Sequence, residues 1–227
     1  MSKDKISVII PAKNEEKVIG ELISKCRKYS DDIIVVDGHS NDNTRKIASD
    51  MGVRVYLDNK KGKGDGIRVG ISKARNEILV FIDADGSHDP DDIPKLVRPI
   101  LENKADHVTG SRMRGGSDEL HGDINKFTRM VGSDIVTLGI NYKFGVDLTD
   151  SQNGFRAIKK DVALALDLKE NITTIEQEMI IKTLRKGYRM AEVPTHEYAR
   201  RHGTSSIVAR KVWFRYVYSW LKYLFFG

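Results

Sequence analysis

Apolar runs of strand length alternate with segments of helical period through the first half of the chain. The strand-like runs cover residues 6–11, 32–37, 53–57, 78–83 and 107–110. Apolar residues recur at helical spacing between them, over residues 16–29, 43–51, 66–75 and 91–102. This alternation predicts an α/β fold, a Rossmann-like and mainly parallel sheet with helices on both faces.

Polar residues follow three of these predicted strands. Asn14 and Glu15 come after the first strand, Asp37 ends the second, and Asp83 and Asp85 end the fourth. Ligands of open α/β sheets bind outside the carboxyl ends of the strands, so we expect the five side chains to meet in one crevice. Each residue taken alone is equally typical of a helix cap or a turn.

The pair Asp83 and Asp85 lies directly after an apolar run and before Gly86. Two neighbouring carboxylates repel each other unless a cation lies between them. Mg²⁺ or Mn²⁺ binds one or two carboxylates and completes its shell with water and substrate phosphates. The pair therefore predicts a metal site for a phosphorylated ligand, and a simple turn is the alternative.

The second half of the chain is less regular. A basic loop with glycines spans residues 110–116, a helical stretch covers 125–138, and a helix near 175–186 precedes a strand at 189–194. Three arginines are candidate anion contacts, because the guanidinium fork suits phosphate: Arg112, Arg129 and Arg156. The glycines around Arg112 favour it, whereas Arg156 fits a structural role equally well. The basic loop at 60–66 lacks both common nucleotide-loop patterns and is either a phosphate contact or a solvated loop.

Composition sets limits on the class of protein. The chain has 227 residues, of which 40% are hydrophobic and 31% charged, and this excludes a disordered protein. Its one cysteine, Cys26, falls on the apolar side of the first helix and is expected in the core. The apolar run at residues 6–10 is too short for a signal peptide, so we expect the protein on the cytoplasmic side of the membrane.

The C-terminal segment carries the excess positive charge. The net charge is +6, and from Tyr198 onward there are six basic residues and no acidic one. Residues 207–226 have helical spacing, with Lys211, Arg215 and Lys222 on one side. The opposite apolar face consists of Val212, Trp213, Tyr216, Val217, Trp220, Leu221 and Leu224.

An amphipathic helix of this kind is typical of the surface of an anionic membrane. Charged residues inside the segment argue against a membrane span. Docking on the protein's own core or on a dimer partner is the alternative, and nucleic acid ranks lower because no recognised module accompanies the segment. We therefore divide the chain into residues 1–206 and an interfacial helix at 207–227.

Five ordered motifs carry a resemblance to a known family. They are Pro11-Ala-Lys-Asn-Glu15, the segment 36–44 that begins Val36-Asp37, Asp83-Ala-Asp85, Gly110-Ser-Arg112 and Gly154-Phe-Arg156. With them the chain resembles family 2 inverting glycosyltransferases of the GT-A fold, and most of all the dolichyl-phosphate mannose synthases and their glucose-transferring relatives. The resemblance covers residues 5–206.

The resemblance implies roles for individual residues. The implied nucleotide-binding residues are Pro11, Ala12, Asn14, Glu15, Asp37, Asp83 and Ala84. Asp83 and Asp85 would hold Mg²⁺ or Mn²⁺, and Asp85, Arg112 and Arg129 would be catalytic. The implied acceptor-phosphate residues are Arg112, Arg129, Arg200 and Arg201. Gly38 stands where family members often carry a second Asp, and Ser87 stands where the mannose synthases have a Gln, which leaves GDP-mannose and UDP-sugars both open as donors.

The implied reaction transfers a sugar from a nucleotide-sugar to a polyprenyl or dolichyl phosphate at the membrane surface. A phosphate acceptor needs no strong general base, whereas a hydroxyl acceptor would need a carboxylate such as Glu176 or Glu178. A non-catalytic, nucleotide-sugar-binding membrane protein is a further alternative. A sugar-phosphate nucleotidyltransferase is disfavoured, because residues 11–15 lack the glycine-rich basic loop it requires.

Overall fold

A seven-stranded sheet forms the centre of the computed structural model, which describes residues 3–118, 124–200 and 209–226. The strands are β1 (Ile6–Ala12), β2 (Asp32–Asp37), β3 (Arg54–Leu57), β4 (Ile78–Phe81), β5 (His107–Ser111), β6 (Arg156–Lys159) and β7 (Met190–Pro194). Their order across the sheet is β3-β2-β1-β4-β6-β5-β7. The chain thus starts near the middle of the sheet and builds outward in both directions.

All strand pairs are parallel except those of β6, which runs antiparallel to β4 and β5. In the register, Ala12 pairs with Asp37, so β1 and β2 end at the same edge of the sheet as β4. The reversed direction of β6 brings its first residue, Arg156, beside Phe81 at this edge. The mainly parallel sheet is confirmed, and β6 is a strand that the sequence analysis did not identify.

Nine helices surround the sheet in the described part of the chain. They are α1 (Ile19–Cys26), α2 (Thr44–Asp50), α3 (Lys63–Lys73), α4 (Ile93–Leu101), α5 (Arg112–Gly115), α6 (Ile124–Phe144), α7 (Lys160–Ala165), α8 (Ile175–Arg185) and α9 (Ala209–Leu221). One buried cluster joins α1 and α4 to one face of the sheet and includes Cys26, as predicted. A second joins α3, α7 and α8 to the other face. Both faces are therefore covered.

Helix α3 begins three residues earlier than predicted, at Lys63, so the second part of the basic loop at 60–66 is helical. Its first turn lies against residues 170–172: the amide of Gly64 donates to the carbonyl oxygen of Asn171 at 2.9 Å. A Cβ atom on Gly64 would come within 2.5 Å of the Glu170 carbonyl oxygen. Only glycine permits this close approach, which fixes the start of α3 against a distant part of the chain.

The C-terminal segment docks on the body of the protein. A π-helical turn, Lys222–Phe226, follows α9, and its Tyr223 and Leu224 are buried with Ile140 of α6 and Ile181 of α8. Trp220 packs against the same cluster. Trp220 and Leu224, two members of the predicted apolar face, thus contact the protein, as in the docking alternative, and contact of this helix with a membrane stays a prediction. The division of the chain at residue 206 stays a prediction.

None of the helices in the described ranges combines the length and apolar character needed to cross a bilayer.

Two glycines of α6 provide a matched test of this docking. A Cβ at Gly139 would overlap the indole ring of Trp220, whereas a Cβ at the exposed Gly132 meets nothing within 4 Å. We expect Gly139→Ala to lower the free energy of unfolding by about 1–3 kcal/mol through overpacking. We expect Gly132→Ala to raise it by about 0.5–1 kcal/mol, because alanine is the better helix former. Urea unfolding followed by tryptophan fluorescence measures both, and equal effects of the two variants would contradict the docking.

Candidate functional site

The predicted polar residues meet at the carboxyl edge of β1, β2 and β4. The amide of Gly38 donates to the carbonyl oxygen of Ala12 at 2.8 Å, which joins the ends of β1 and β2. Asn14 continues this link, since its Oδ1 accepts from the amide of Asn41 at 2.9 Å. The segment after β7 closes over the end of β4, where the amide of Tyr198 donates to the carbonyl oxygen of Ser87 at 2.8 Å. The ends of the three strands therefore meet, as predicted, and we call the space that they border the crevice; ligand binding there stays a prediction.

Asp83 forms an ion pair with a lysine that the sequence analysis did not single out. The Nζ atom of Lys63 lies 2.7 Å from Oδ1 of Asp83 and 2.8 Å from Oε1 of Glu176. Burial opposes the charge on Lys63, but Asp83 and Glu176 outweigh it and hold the pKa of Lys63 above its usual value. Burial also acts to raise the pKa of Asp83, and Lys63 reverses this, so the pKa of Asp83 lies below its usual value.

Asp85 pairs with Arg200, the last described residue before the gap at 201–208. Nη2 of Arg200 lies 2.8 Å from Oδ2 of Asp85, and Nη1 lies 3.9 Å from Oε1 of Glu15. The hydroxyl and amide of Ser87 donate to the other oxygen of Asp85 at 2.7 and 3.0 Å. Burial, reinforced by the charge of Asp85 and partly opposed by Arg200, raises the pKa of Glu15 to about 7.

Asp37 is fully buried at the end of β2. Its Oδ1 accepts from the amide of Ser40 at 2.9 Å and lies 3.4 Å from Nε of Arg45. Its Oδ2 has no hydrogen-bond partner among the described residues. A buried carboxylate oxygen without a partner is costly, and a bound ligand is one physical reason to retain it. The other nucleotide-binding candidates line the same strand ends: Ala12 and Ala84 are buried and Pro11 is half-buried.

Arg112 is engaged within the protein. Its Nε and Nη2 atoms donate to the two carboxylate oxygens of Asp150 at 2.6 and 2.9 Å, and Nη1 lies 3.3 Å from Glu197. Ser117 donates to Glu197 at 2.6 Å, which extends the network across the loop that carries Arg112. The side chain thus ties this loop to the segment after β7, and its contact with an acceptor phosphate stays a prediction.

The remaining arginines differ in what the structure says of them. Arg156 is buried and donates to the backbone carbonyls of Asn153 and Glu176, so its interpretation as an anion contact is wrong and its role is structural. The side chains of Arg129 and Arg201 lie outside the described residues. Their contact with an acceptor phosphate stays a prediction.

The two candidate bases are both enclosed. Glu178 accepts from the amides of Lys169 and Glu170 at 2.8 Å each and pairs with Lys182, so it holds the segment before α8. Glu176 is 3% exposed and pairs with Lys63. A general base must reach the proton that it removes. Neither carboxylate is open to an acceptor hydroxyl in this arrangement.

The chemistry of the aspartate pair fits Mg²⁺ or Mn²⁺. Asp83 and Asp85 offer hard oxygen ligands, and Glu15 is close enough to both for their charges to raise its pKa. Within the described ranges no group of three acidic, histidine or cysteine side chains has the geometry of a complete metal site. Mg²⁺ commonly binds through one or two carboxylates with substrate phosphates and water. The pair fits a site of this open kind.

The raised pKa of Glu15 has a consequence for stability. The pKa of glutamate in the unfolded chain is 4.5 and that of Glu15 in the folded protein is about 7. Between these pH values only the unfolded chain releases the proton. Folding stability contributed by this group therefore falls as the pH rises through that window. We expect Glu15→Gln to raise the melting temperature relative to the unchanged protein more at pH 8 than at pH 5, as measured by calorimetry. A difference that does not depend on pH would show that Glu15 is not perturbed in this way.

Comparison with solved structures confirms the fold. Glucosyl-3-phosphoglycerate synthase from Mycobacterium tuberculosis, solved with Mn²⁺, UDP and glucosyl-3-phosphoglycerate, superposes with a TM-score of 0.76 at 22% identity. The match covers 97% of this chain and 80% of that one. The shared architecture is the GT-A fold that the resemblance implied.

Two relatives in sequence are named as glycosyltransferases of dolichyl or dolichol phosphate. The chain is 29% identical to UDP-N-acetylglucosamine–dolichyl-phosphate N-acetylglucosaminyltransferase of Methanococcus voltae, over 95% of this chain and 96% of that protein. It is 30% identical to dolichol-phosphate mannosyltransferase of Pyrococcus furiosus, over 96% of this chain and 64% of that protein. The family model described as "Glycosyl transferase family 2" matches residues 7–165. With its fold, its strand-end carboxylates and these relatives, the chain belongs to glycosyl transferase family 2 and is a glycosyltransferase.

Proposed function

We propose that this enzyme transfers a sugar from a nucleotide-sugar to a polyprenyl or dolichyl phosphate at a membrane surface, with Mg²⁺ or Mn²⁺ bound at Asp83 and Asp85. The observation that carries the proposal is the aspartate pair at the end of β4, held by Lys63 and Arg200 at 2.7 and 2.8 Å. The names of the two relatives above supply the donor and acceptor classes. The nucleotide part of the donor is UDP or GDP.

The donor occupies the crevice at the carboxyl edge of the sheet in this proposal. The unpartnered Oδ2 of Asp37 faces the nucleoside, and Pro11, Ala12, Asn14, Glu15 and Ala84 form the surrounding walls. Asp83 and Asp85 would hold the cation, which when bound neutralises negative charge that develops on the departing diphosphate. The solved GT-A neighbour, with Mn²⁺ and UDP bound, supports this arrangement for the fold.

The acceptor side needs positioning and positive charge rather than a base. A phosphate monoester has a second pKa of about 6 and is therefore mostly dianionic at neutral pH. Its oxygen can attack the anomeric carbon without first losing a proton. In-line attack inverts the anomeric centre. Arg200 lies beside Asp85 and so at the border between the two substrates. The enclosure of Glu176 and Glu178 disfavours the alternative with a hydroxyl acceptor.

An exposed apolar surface supports the membrane location. It is formed by one side of α6 and one side of the C-terminal helix, which meet where Gly139 packs against Trp220. Leu138 and Tyr142 of α6 are 70% and 93% exposed. The other members of this α6–α9 surface are Ile135, Phe214, Val217, Tyr218, Leu221, Phe225 and Phe226. Large exposed apolar patches mark sites of interaction with membranes or proteins.

Charge and position favour a membrane as the occupant of the α6–α9 surface. The exposed Arg215 and Lys143 lie on the same two helices, and cations beside apolar groups suit an anionic lipid surface. The surface also adjoins the crevice, because Nε2 of Gln177, next to Glu176 on α8, donates to the carbonyl oxygen of Tyr216 on α9 at 3.0 Å. A lipid acceptor in the bilayer would thus present its phosphate close to the donor.

Substitution of Asp85 tests the reaction. Purified protein is incubated with Mn²⁺, a panel of UDP- and GDP-sugars and a polyprenyl phosphate, and the glycolipid product is measured. We expect Asp85→Asn to reduce transfer by about 10²-fold or more, because charge on the leaving group is no longer neutralised, while the melting temperature stays close to that of the unchanged protein. Asp91→Asn, at an exposed aspartate outside the crevice, is the matched control. Unchanged transfer by Asp85→Asn, or full activity of the unchanged protein in EDTA, would refute the metal-dependent reaction.

The double variant Leu138→Ser/Tyr218→Ser tests the membrane surface. We expect its co-sedimentation with liposomes that contain an anionic lipid to fall, because two large apolar side chains leave the α6–α9 surface. Leu164→Ser removes a similarly exposed leucine from α7 and should bind as the unchanged protein does. Equal binding by the double variant and the unchanged protein would count against this surface.

A further inference from the structure

Lys63 occupies a position that is electrostatically unfavourable for a lysine. It is the first residue of α3, where the helix macrodipole places partial positive charge. Its side chain is only 22% exposed, so the ammonium is also largely removed from water. A buried charge is tolerated only when partners compensate it. The reason for a lysine at this point therefore lies in what it contacts.

Its contacts are two carboxylates on different elements. The ammonium holds both oxygens of Asp83, at 2.7 Å from Oδ1 and 2.9 Å from Oδ2, and it lies 2.8 Å from Oε1 of Glu176. The other oxygen of Glu176 is enclosed, and no described residue donates a hydrogen bond to it. Lys63 is thus the ion-pair partner of both carboxylates, Glu176 on one side and Asp83 on the other.

Backbone packing holds Lys63 and Glu176 in register. Gly62 and Gly64 flank the lysine, and a Cβ atom on either would come within 2.8 Å of backbone oxygens in residues 170–172. The side chain of Arg68 bonds to the same segment. That segment leads directly into α8, which carries Glu176. The two charged residues are therefore set by one rigid contact between distant parts of the chain.

Gly154 packs against the ion pair of Lys63 and Asp83. A Cβ atom at this residue would lie 2.8 Å from Oδ2 of Asp83 and 2.9 Å from Nζ of Lys63. Any side chain here would push the ion pair apart, so the glycine preserves it. The pair is consequently a built feature of the crevice and not a chance contact of a mobile lysine.

We infer that Lys63 is a tethered counter-ion of Asp83, held in place by Glu176, and that it makes cation binding at the aspartate pair depend on the nucleotide diphosphate. This inference rests on the proposed function. An ammonium on both oxygens of Asp83 competes with a divalent cation for that carboxylate and repels it. A diphosphate brings negative charge and oxygen ligands, which offset the ammonium and complete the coordination shell. The lack of a three-ligand group in the described residues agrees with this dependence.

The test measures Mn²⁺ binding directly, from the electron paramagnetic resonance signal of free Mn²⁺, with and without UDP or GDP. We expect the unchanged protein to bind Mn²⁺ about tenfold or more tightly when the matching nucleotide is present. Lys63→Met removes the competing charge, so we expect it to bind Mn²⁺ alone about tenfold more tightly than the unchanged protein and to lose most of the dependence on nucleotide. In Glu176→Gln the packing of Gly62 and Gly64 still places Lys63 beside Asp83, so this variant should bind Mn²⁺ alone no more tightly than the unchanged protein.

Lys73→Met, at an exposed lysine at the other end of α3, is the control for overall charge and should leave Mn²⁺ binding unchanged. A purely structural role for Lys63 would weaken Mn²⁺ binding in Lys63→Met, and this result would overturn the inference while leaving the proposed function intact. If Lys63→Met does not fold, Lys63→Gln replaces it. Equal Mn²⁺ affinity of the unchanged protein with and without nucleotide would by itself contradict the inference. Absence of Mn²⁺ binding under every condition would overturn the inference and the metal-dependent function together.

Discussion

Two carboxylates at the end of a buried strand must be balanced by positive charge, and the rest of the site follows from how this protein supplies it. Asp83 and Asp85 each pair with a cationic side chain, Lys63 and Arg200, that comes from a distant part of the chain. In a site partly removed from water, such pairs offset the repulsion between the two carboxylates. Burial, together with the charges of Asp85 and Asp83, raises the pKa of Glu15 to about 7, and in the proposed function a bound cation adds the missing positive charge.

Two further arginines are fixed by contacts inside the protein. Arg112 joins Asp150 and Glu197, and Arg156 holds backbone carbonyls in the interior, so both support the walls of the crevice.

The apolar residues of the C-terminal helix lie on two sides. One side, with Trp220 and Leu224, attaches it to the body, and the other belongs to the exposed α6–α9 surface. The hydrogen bond from Gln177 of α8 to the carbonyl oxygen of Tyr216 of α9 joins the element that carries Glu176 to the helix of the proposed membrane surface.

The sequence was sufficient for those parts of the fold that local pattern determines. Strong apolar runs identified β1, β2 and β4, and their polar ends identified Asp37, Asp83 and Asp85. Strand β6 was missed because it is four residues long and begins with an arginine, and only its pairing with β4 and β5 makes it a strand. The predicted start of helix α3 was three residues late, because Gly64 and Gly66 in its first turns mask the helical pattern. The role of Lys63 depends on contacts with residues 154 and 176, which no local pattern contains.

The position of the cation can be measured in a crystal soaked with Mn²⁺ and the matching nucleoside diphosphate, through the anomalous scattering of manganese. The proposed cation site predicts one strong peak beside Asp83 and Asp85, next to the bound diphosphate. A peak elsewhere, or no peak with Asp83 and Asp85 still paired to Lys63 and Arg200 beside a bound nucleotide, would contradict it.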